Sequence, residues 1–152
     1  MVVVSVRKAV VCFVLVLTAV TMHALDADLI GLSPAAMYEI TGPPQRVFVE
    51  PDATGDDSFV VFLYEDYSYV YFFDNAVWQL RIDDRSSRTL HGVRVGDSIE
   101  ELAFELGPPR WLPDTARAAS FRILGYGVPI ELTVFVDSSG RIEDLYLSRM
   151  DF

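Results

Sequence analysis

A fourteen-residue pattern occurs twice in this chain, with an offset of 65 positions. Residues 31–44 read Gly-Leu-Ser-Pro-Ala-Ala-Met-Tyr-Glu-Ile-Thr-Gly-Pro-Pro, and residues 96–109 read Gly-Asp-Ser-Ile-Glu-Glu-Leu-Ala-Phe-Glu-Leu-Gly-Pro-Pro. The Gly, Ser, Gly, Pro and Pro positions coincide. Self-similarity at a fixed offset means that one supersecondary unit is built twice, so a structure proposed for one half has to serve the other.

Each copy reads as one short helix with a start and a stop. Ser33 and Ser98 stand at the N-cap, where a hydroxyl accepts a hydrogen bond from a free N–H of the first turn. Pro34 suits the first helical position, where its missing N–H is no loss. Glu101, three residues after Ser98, completes a capping box. Ile99, Leu102, Ala103 and Leu106 recur at the spacing of one helix face, and Met37 and Ile40 lead the weaker first copy. Gly42 and Gly107 suit the left-handed residue past a helix end, and the Pro-Pro pairs prevent continuation.

Strand patterns follow each helix. Residues 58–64 align with 120–126 at an offset of 62, residues 67–74 with 130–137 at 63, and residues 77–82 with 142–147 at 65. Ile130, Leu132, Val134 and Val136 share one face of their strand, with Glu131 and Thr133 on the other. A phase change between Ile142 and Leu145 predicts a β-bulge near Glu143 and Asp144. By correspondence, Tyr67, Tyr69, Tyr71 and Phe73 are expected to face the helices, together with Phe59, Val61, Phe121, Ile123, Leu80, Ile82, Leu145 and Leu147. The expected fold is α+β: two tandem repeats, each a short helix followed by an antiparallel β-meander, with the helices on one face of the sheet. The repeats occupy residues 25–84 and 93–152, and a charged linker, residues 85–92, joins them.

The order of glycine, small polar N-cap, two-turn helix, Gly-x-Pro and antiparallel strands closing in an Asp-x-x-Gly hairpin resembles the SmpA/OmlA (BamE-like) envelope domain. The tandem form resembles the β-lactamase inhibitory protein family. The carriers are Gly96, Ser98, Leu102, Leu106, Gly107, Pro108 and the hairpin from Asp137 to Gly140, and the resemblance extends over nearly all of residues 25–152. It implies a saddle-shaped sheet and a role in binding other proteins. BamE-like proteins are usually lipoproteins, whereas this chain has no cysteine placed for lipid attachment. The inhibitor family carries disulfides, which a chain with one cysteine cannot form internally.

Arg7 and Lys8 precede an apolar run from Ala9 to Val20, and Ala24 offers a small residue for cleavage. That is the layout of a secretory signal peptide over residues 1–24. The run falls short of the roughly 20 residues that span a bilayer. The expectation is a periplasmic or secreted protein with no membrane span once this segment is removed. Cys12, the only cysteine, lies inside the run, so the remaining chain would have neither disulfide nor thiolate metal site. From residue 25 on, 22 carboxylates stand against 10 arginines and no lysine, a balance that opposes nucleic acid and anionic membrane surfaces.

Catalytic groups are scarce. His91 is the one histidine beyond residue 24, expected to be a solvated linker residue, with no second histidine or cysteine to complete a metal or nucleophile set. No serine has the nucleophile-elbow context. Adjacent carboxylates such as Asp83-Asp84 and Glu143-Asp144 point apart and form no acid–base dyad. Residues 52–57 resemble a calcium loop in composition but lack EF-hand spacing. No catalytic residue, metal or cofactor is expected.

The sheet face opposite the helices is the more informative feature. It is expected to carry the partner-binding residues Phe62, Tyr64, Val70, Phe72, Arg122, Tyr126 and Phe135. A solvated sheet face normally alternates with polar residues, and an apolar, aromatic face marks an interaction surface. The expected function is an exported, non-catalytic protein-binding module, of the kind that assists envelope assembly or inhibits an enzyme. Its acidic rim would select a basic partner. The alternative is a periplasmic small-ligand or lipid-binding protein with a pocket between sheet and helices, lined by Tyr67, Tyr69 and Tyr71.

Overall fold

The computed structural model describes residues 26–52, 54–55, 57–113 and 117–151. The expected signal peptide, residues 1–24, lies outside the described residues. A single 3-10 turn, Ala27–Leu29, leads into helix α1 (Pro34–Thr41) and strands β1 (Arg46–Pro51), β2 (Ser58–Leu63), β3 (Ser68–Phe73) and β4 (Ala76–Ile82). Helix α2 (Ile99–Leu106) follows, then β5 (Arg110–Trp111), β6 (Ala118–Ile123), β7 (Ile130–Val136) and β8 (Ile142–Arg149). All eight strands form one sheet in the order β1-β2-β3-β4-β8-β7-β6-β5, and every neighbouring pair is antiparallel.

The expectation of an α+β fold built from two helix-and-meander repeats is corrected by this arrangement. The fold is a single, mostly antiparallel eight-stranded sheet, and the two helices, of eight residues each, are minor additions to it. The reason lies in β4 and β8. They are not edges of separate units but pair with each other, Leu80 opposite Leu147 and Ile82 opposite Leu145. Hydrogen bonding and apolar core therefore run unbroken across the middle of the molecule.

Local chemistry explains how the small elements attach. Gly31 N–H donates to the Val77 carbonyl at 2.7 Å, and Val77 N–H donates to the Leu32 carbonyl at 2.8 Å. Gly96 N–H bonds the Ile142 carbonyl at 2.7 Å, and Ile142 N–H the Asp97 carbonyl at 3.0 Å. Each clip requires a positive φ at its glycine, 89° at Gly31 and 93° at Gly96, a conformation that costs other residues roughly 1–2 kcal/mol. Beyond the clips, Ser33 accepts a hydrogen bond from Ala36 N–H at 3.3 Å and Ser98 from Glu100 N–H at 3.2 Å, which fixes the helix starts.

Two bulges set the faces of the central strands. Tyr71 pairs with Gln79 and Phe72 with Val77, which leaves Trp78 as the extra residue of β4. Phe135 pairs with Asp144 and Val136 with Ile142, which leaves Glu143 extra on β8, where the phase change placed it. Each bulge turns residues three apart, Val77 and Leu80 or Ile142 and Leu145, into the same core. That core lies between the sheet and the helices. Met37, Ile99 and Leu102 meet Val70, Phe72, Leu80, Ile82, Phe121, Leu132, Val134 and Leu147 there.

In β2 and β3 the faces are the reverse of those expected. Tyr69, Tyr71, Val61 and Phe59 stand on the side away from the helices, whereas Tyr64, Val70 and Phe72 belong to the helix-side core. Tyr67 lies outside the strands, in the turn before β3, at φ 58°. The ladder gives the cause. Val70 pairs with Leu80 as Val134 pairs with Leu145, an offset of 64 for β3 against β7 instead of 63. A one-residue slip moves every side chain of a strand to the other face. In β4, β6, β7 and β8 the expected assignments hold: Leu80, Ile82, Phe121, Ile123, Leu132, Leu145 and Leu147 are core.

Candidate functional site

Two rows of side chains cross the sheet on the side away from the helices. One runs Leu63, Tyr69, Arg81, Tyr146, Thr133 and Ser120 across successive strands. The other runs Phe48, Val61, Tyr71, Gln79, Ser148 and Glu131. Over β1 to β4 the surface is aromatic and aliphatic. Val61, Tyr69 and Tyr71 are buried beneath Phe48, Phe59, Leu63 and Trp78, and the Phe59 ring meets Trp78 at 4.9 Å and Phe73 at 5.9 Å. Trp78 reaches this face because it is the bulged residue of β4. A small open pocket of about 190 Å³ lies beside Phe59, Phe73 and Trp78, with Asp52 and Asp57 at its rim.

Arg81 holds the centre, at the seam of β4 and β8. Its Nη2 donates to Asp144 Oδ2 at 2.8 Å and its Nε to Asp144 Oδ1 at 3.1 Å, a forked charge-assisted contact. The guanidinium lies between two rings, 5.1 Å from the Tyr69 centroid and 5.3 Å from that of Tyr146. Tyr146 Oη donates to Asp144 Oδ2 at 3.2 Å, and Tyr69 Oη donates to Asp83 Oδ2 at 3.2 Å. Arg85 pairs with Asp83 and stacks 4.6 Å over the Tyr67 ring. Beside this network lies an open cavity of about 580 Å³, walled by Arg81, Asp83, Asp144, Tyr146 and Phe135.

The electrostatics follow from partial burial. Burial, then the Asp144 carboxylate, push the Tyr146 phenol up, and burial followed by Asp83 does the same for Tyr69. Both phenols therefore stay protonated at neutral pH and act as donors. Burial works against the Arg81 charge, but the hydrogen bonds it donates to the Asp144 carboxylate outweigh it and hold the guanidinium protonated. Burial would raise the Asp83 carboxyl, but the Arg85 hydrogen bonds hold it below the usual carboxylate range. Such a set presents oriented hydrogen-bond donors and acceptors beside an aromatic surface. It contains no nucleophile poised against a base, and among the described residues no group of three or more His, Cys, Asp or Glu is placed to hold a metal ion.

The seven residues expected to bind a partner are divided by the structure. Val70 is wholly buried, and Phe72 and Tyr64 are nearly so. Tyr64 Oη accepts a hydrogen bond from Thr41 Oγ1 at 2.7 Å, which ties β2 to α1. Phe62 packs against the same core, with its ring 4.6 Å from Phe72. Tyr126 also packs there and donates to Asp26 Oδ1 at 3.5 Å. Only Arg122 and Phe135 stand on the open face, the latter 5.6 Å edge-on to Tyr146. Tyr69, Trp78, Arg81, Asp144 and Tyr146 were missed. Carrying the Glu143 bulge back by 65 positions would have found Trp78 and corrected the faces.

Two further expectations change. His91 is not a free linker residue: its Nδ1 lies 2.7 Å from Asp26 Oδ1, and it sits in a tight turn in which Leu90 and Val93 bond each other. On the open face Arg81, Arg85 and Arg110 pair with Asp144, Asp83 and Glu131, while Asp52 and Asp57 border the Trp78 pocket and Asp84 and Glu143 line the central cavity. The pocket imagined between sheet and helices also loses its hydroxyls, since Tyr69 and Tyr71 point to the other side.

No family model matches the chain, and no curated protein matches it. Among solved structures, an extracellular protein containing an SCP domain, from Bacillus anthracis strain Ames, superposes on 80% of the chain with a TM-score of 0.53 at 11% identity. The match covers 44% of that protein, so this chain spans less than half its length. At that identity the likeness is one of fold. Among the described residues, no helix is long and apolar enough to cross a membrane.

Proposed function

We propose that this chain is an exported, non-catalytic module that holds a protein partner on the open face of its sheet. The observation that carries the reading is the Arg81 cluster, an arginine fixed between two tyrosine rings and a forked carboxylate within an aromatic surface. Tyr, Trp and Arg dominate the energetic centres of protein interfaces, and side chains already locked in place lose little freedom on binding. The partner would lay an apolar or aromatic anchor against Phe59, Phe73 and Trp78 and hydrogen-bonding groups over Tyr146 and Asp144. The carboxylates that rim its pockets, Asp52, Asp57, Asp84 and Glu143, together with the acidic excess of the chain, would speed encounter with a basic partner.

The signal-peptide layout of residues 1–24 supports export, as does a structural neighbour that is itself extracellular. Envelope assembly and enzyme inhibition, the roles implied by the BamE-like and inhibitor resemblance, both suit a rigid binding sheet. The test is affinity capture from envelope extract with three baits: the wild-type chain, Phe59→Asp and Phe135→Asp. The same protein should be retained by wild type and lost from both variants, each checked to be folded by its melting transition. Equal retention by all three baits would place the interface elsewhere.

A further inference from the structure

We infer that β1 is a self-pairing edge through which two copies of this chain join their sheets. The sheet has two ends. At one, β5 is only two residues long, flanked by Pro108-Pro109 and Pro113, a common way of closing an edge to further pairing. At the other, β1 offers six residues and is last in the strand order, bonded on its β2 side alone. Every residue of β1 except Phe48 is exposed, and Val47 and Val49 are 58% and 64% exposed. An apolar edge of this length is a template for another strand.

The sequence of β1 states which strand fits. Residues 46–50 read Arg-Val-Phe-Val-Glu, the same in both directions except for ends of opposite charge. When two copies are laid antiparallel about Phe48, Arg46 of one falls opposite Glu50 of the other, Val47 opposite Val49, and Phe48 opposite Phe48. The twofold axis generates each unlike pair twice. Opposite charges and β-branched pairs directly across a ladder are both favourable. A slip of two residues sets Glu50 opposite Phe48 or Pro44, so charge also fixes the register. The contact is isologous and consumes the edge it uses, so assembly closes at two copies. Val47, Val49 and the exposed Val60 lie on the helix side of the joint. Arg46, Phe48 and Glu50 extend the open face of one copy into that of the other. The inference does not depend on what the open face binds.

Sedimentation velocity on the purified full chain, from low micromolar to several hundred micromolar, tests the pairing. The wild-type chain should form a concentration-dependent dimer. Arg46→Glu and Glu50→Arg should each weaken it by about tenfold, since like charges then meet at both ends of the ladder. The double variant R46E/E50R restores opposite charges and should regain the wild-type dissociation constant. Both positions are exposed, so melting temperatures taken at concentrations where the chain is monomeric should not move. A chain that stays monomeric throughout overturns the inference and leaves β1 to a strand from another protein. A dimer indifferent to the single changes, or not rescued by the double change, overturns it as well.

Discussion

Phe72 and Phe135 show how much one residue of register decides. Phe72 is packed on Phe62 in the helix-side core, whereas Phe135 stands on the open face against Tyr146. Phe72→Ala should lower the unfolding free energy by about 3–5 kcal/mol, the usual cost of emptying a core phenylalanine site. Phe72→Asp should leave no folded protein, where the sequence alone suggested a folded chain that no longer binds. Phe135→Ala should change stability by about 1 kcal/mol or less, since it forfeits chiefly one aromatic contact. Urea denaturation of the three variants checks the ranking. The phase of β7 was legible because Glu131 and Thr133 interrupt its apolar residues. In β3, Ser-Tyr-Val-Tyr-Phe-Phe has apolar side chains on both faces, so periodicity offered no phase. It had to be borrowed from β7, and the borrowed offset was one residue short.

At the level of the elements, the caps and stops of both helices were readable, because each depends on neighbouring residues only. The clip that fastens each helix to the sheet was not, because its acceptor lies 46 residues away, Val77 for Gly31 and Ile142 for Gly96. Gly96→Ala should cost roughly 1–2 kcal/mol through the forced positive φ, and Ser33→Ala about 1 kcal/mol through the lost cap. The two act on different helices, and the double variant should show their sum in equilibrium unfolding. The bulge at Glu143 was legible from the phase of β8, where charged residues mark the open face. Its counterpart at Trp78 was hidden, since Val77, Trp78 and Leu80 are apolar on either side of the strand.

The whole molecule is governed by the β4–β8 seam. A single sheet with a continuous core should unfold in one calorimetric transition, and two separated transitions would mean that the halves fold independently. Nothing in the local sequence announces that seam, because it is a pairing between residues 63 or more positions apart. Stability should also fall at both extremes of pH. Asp83, despite the upward pull of burial, is held low by Arg85, and Asp26, likewise opposed by burial, is held low by His91 and its other hydrogen bonds. Their contribution is present above the unfolded carboxylate pKa of about 4 and is lost as pH falls through the lower folded values. Tyr69, Tyr71 and Tyr146 are raised, chiefly by burial. Their contribution is complete below the unfolded phenol pKa of about 10 and is lost as pH rises towards the higher folded values. Thermal melts across pH should show both declines. The claim that the open face is where this chain meets its partner is tested most directly by site-specific photo-crosslinking in the producing cell, with the photoreactive group at Phe59, Phe135 or the exposed loop residue Leu124. The account predicts one shared protein adduct from Phe59 and Phe135 and none from Leu124. Adducts from Leu124 alone would contradict it.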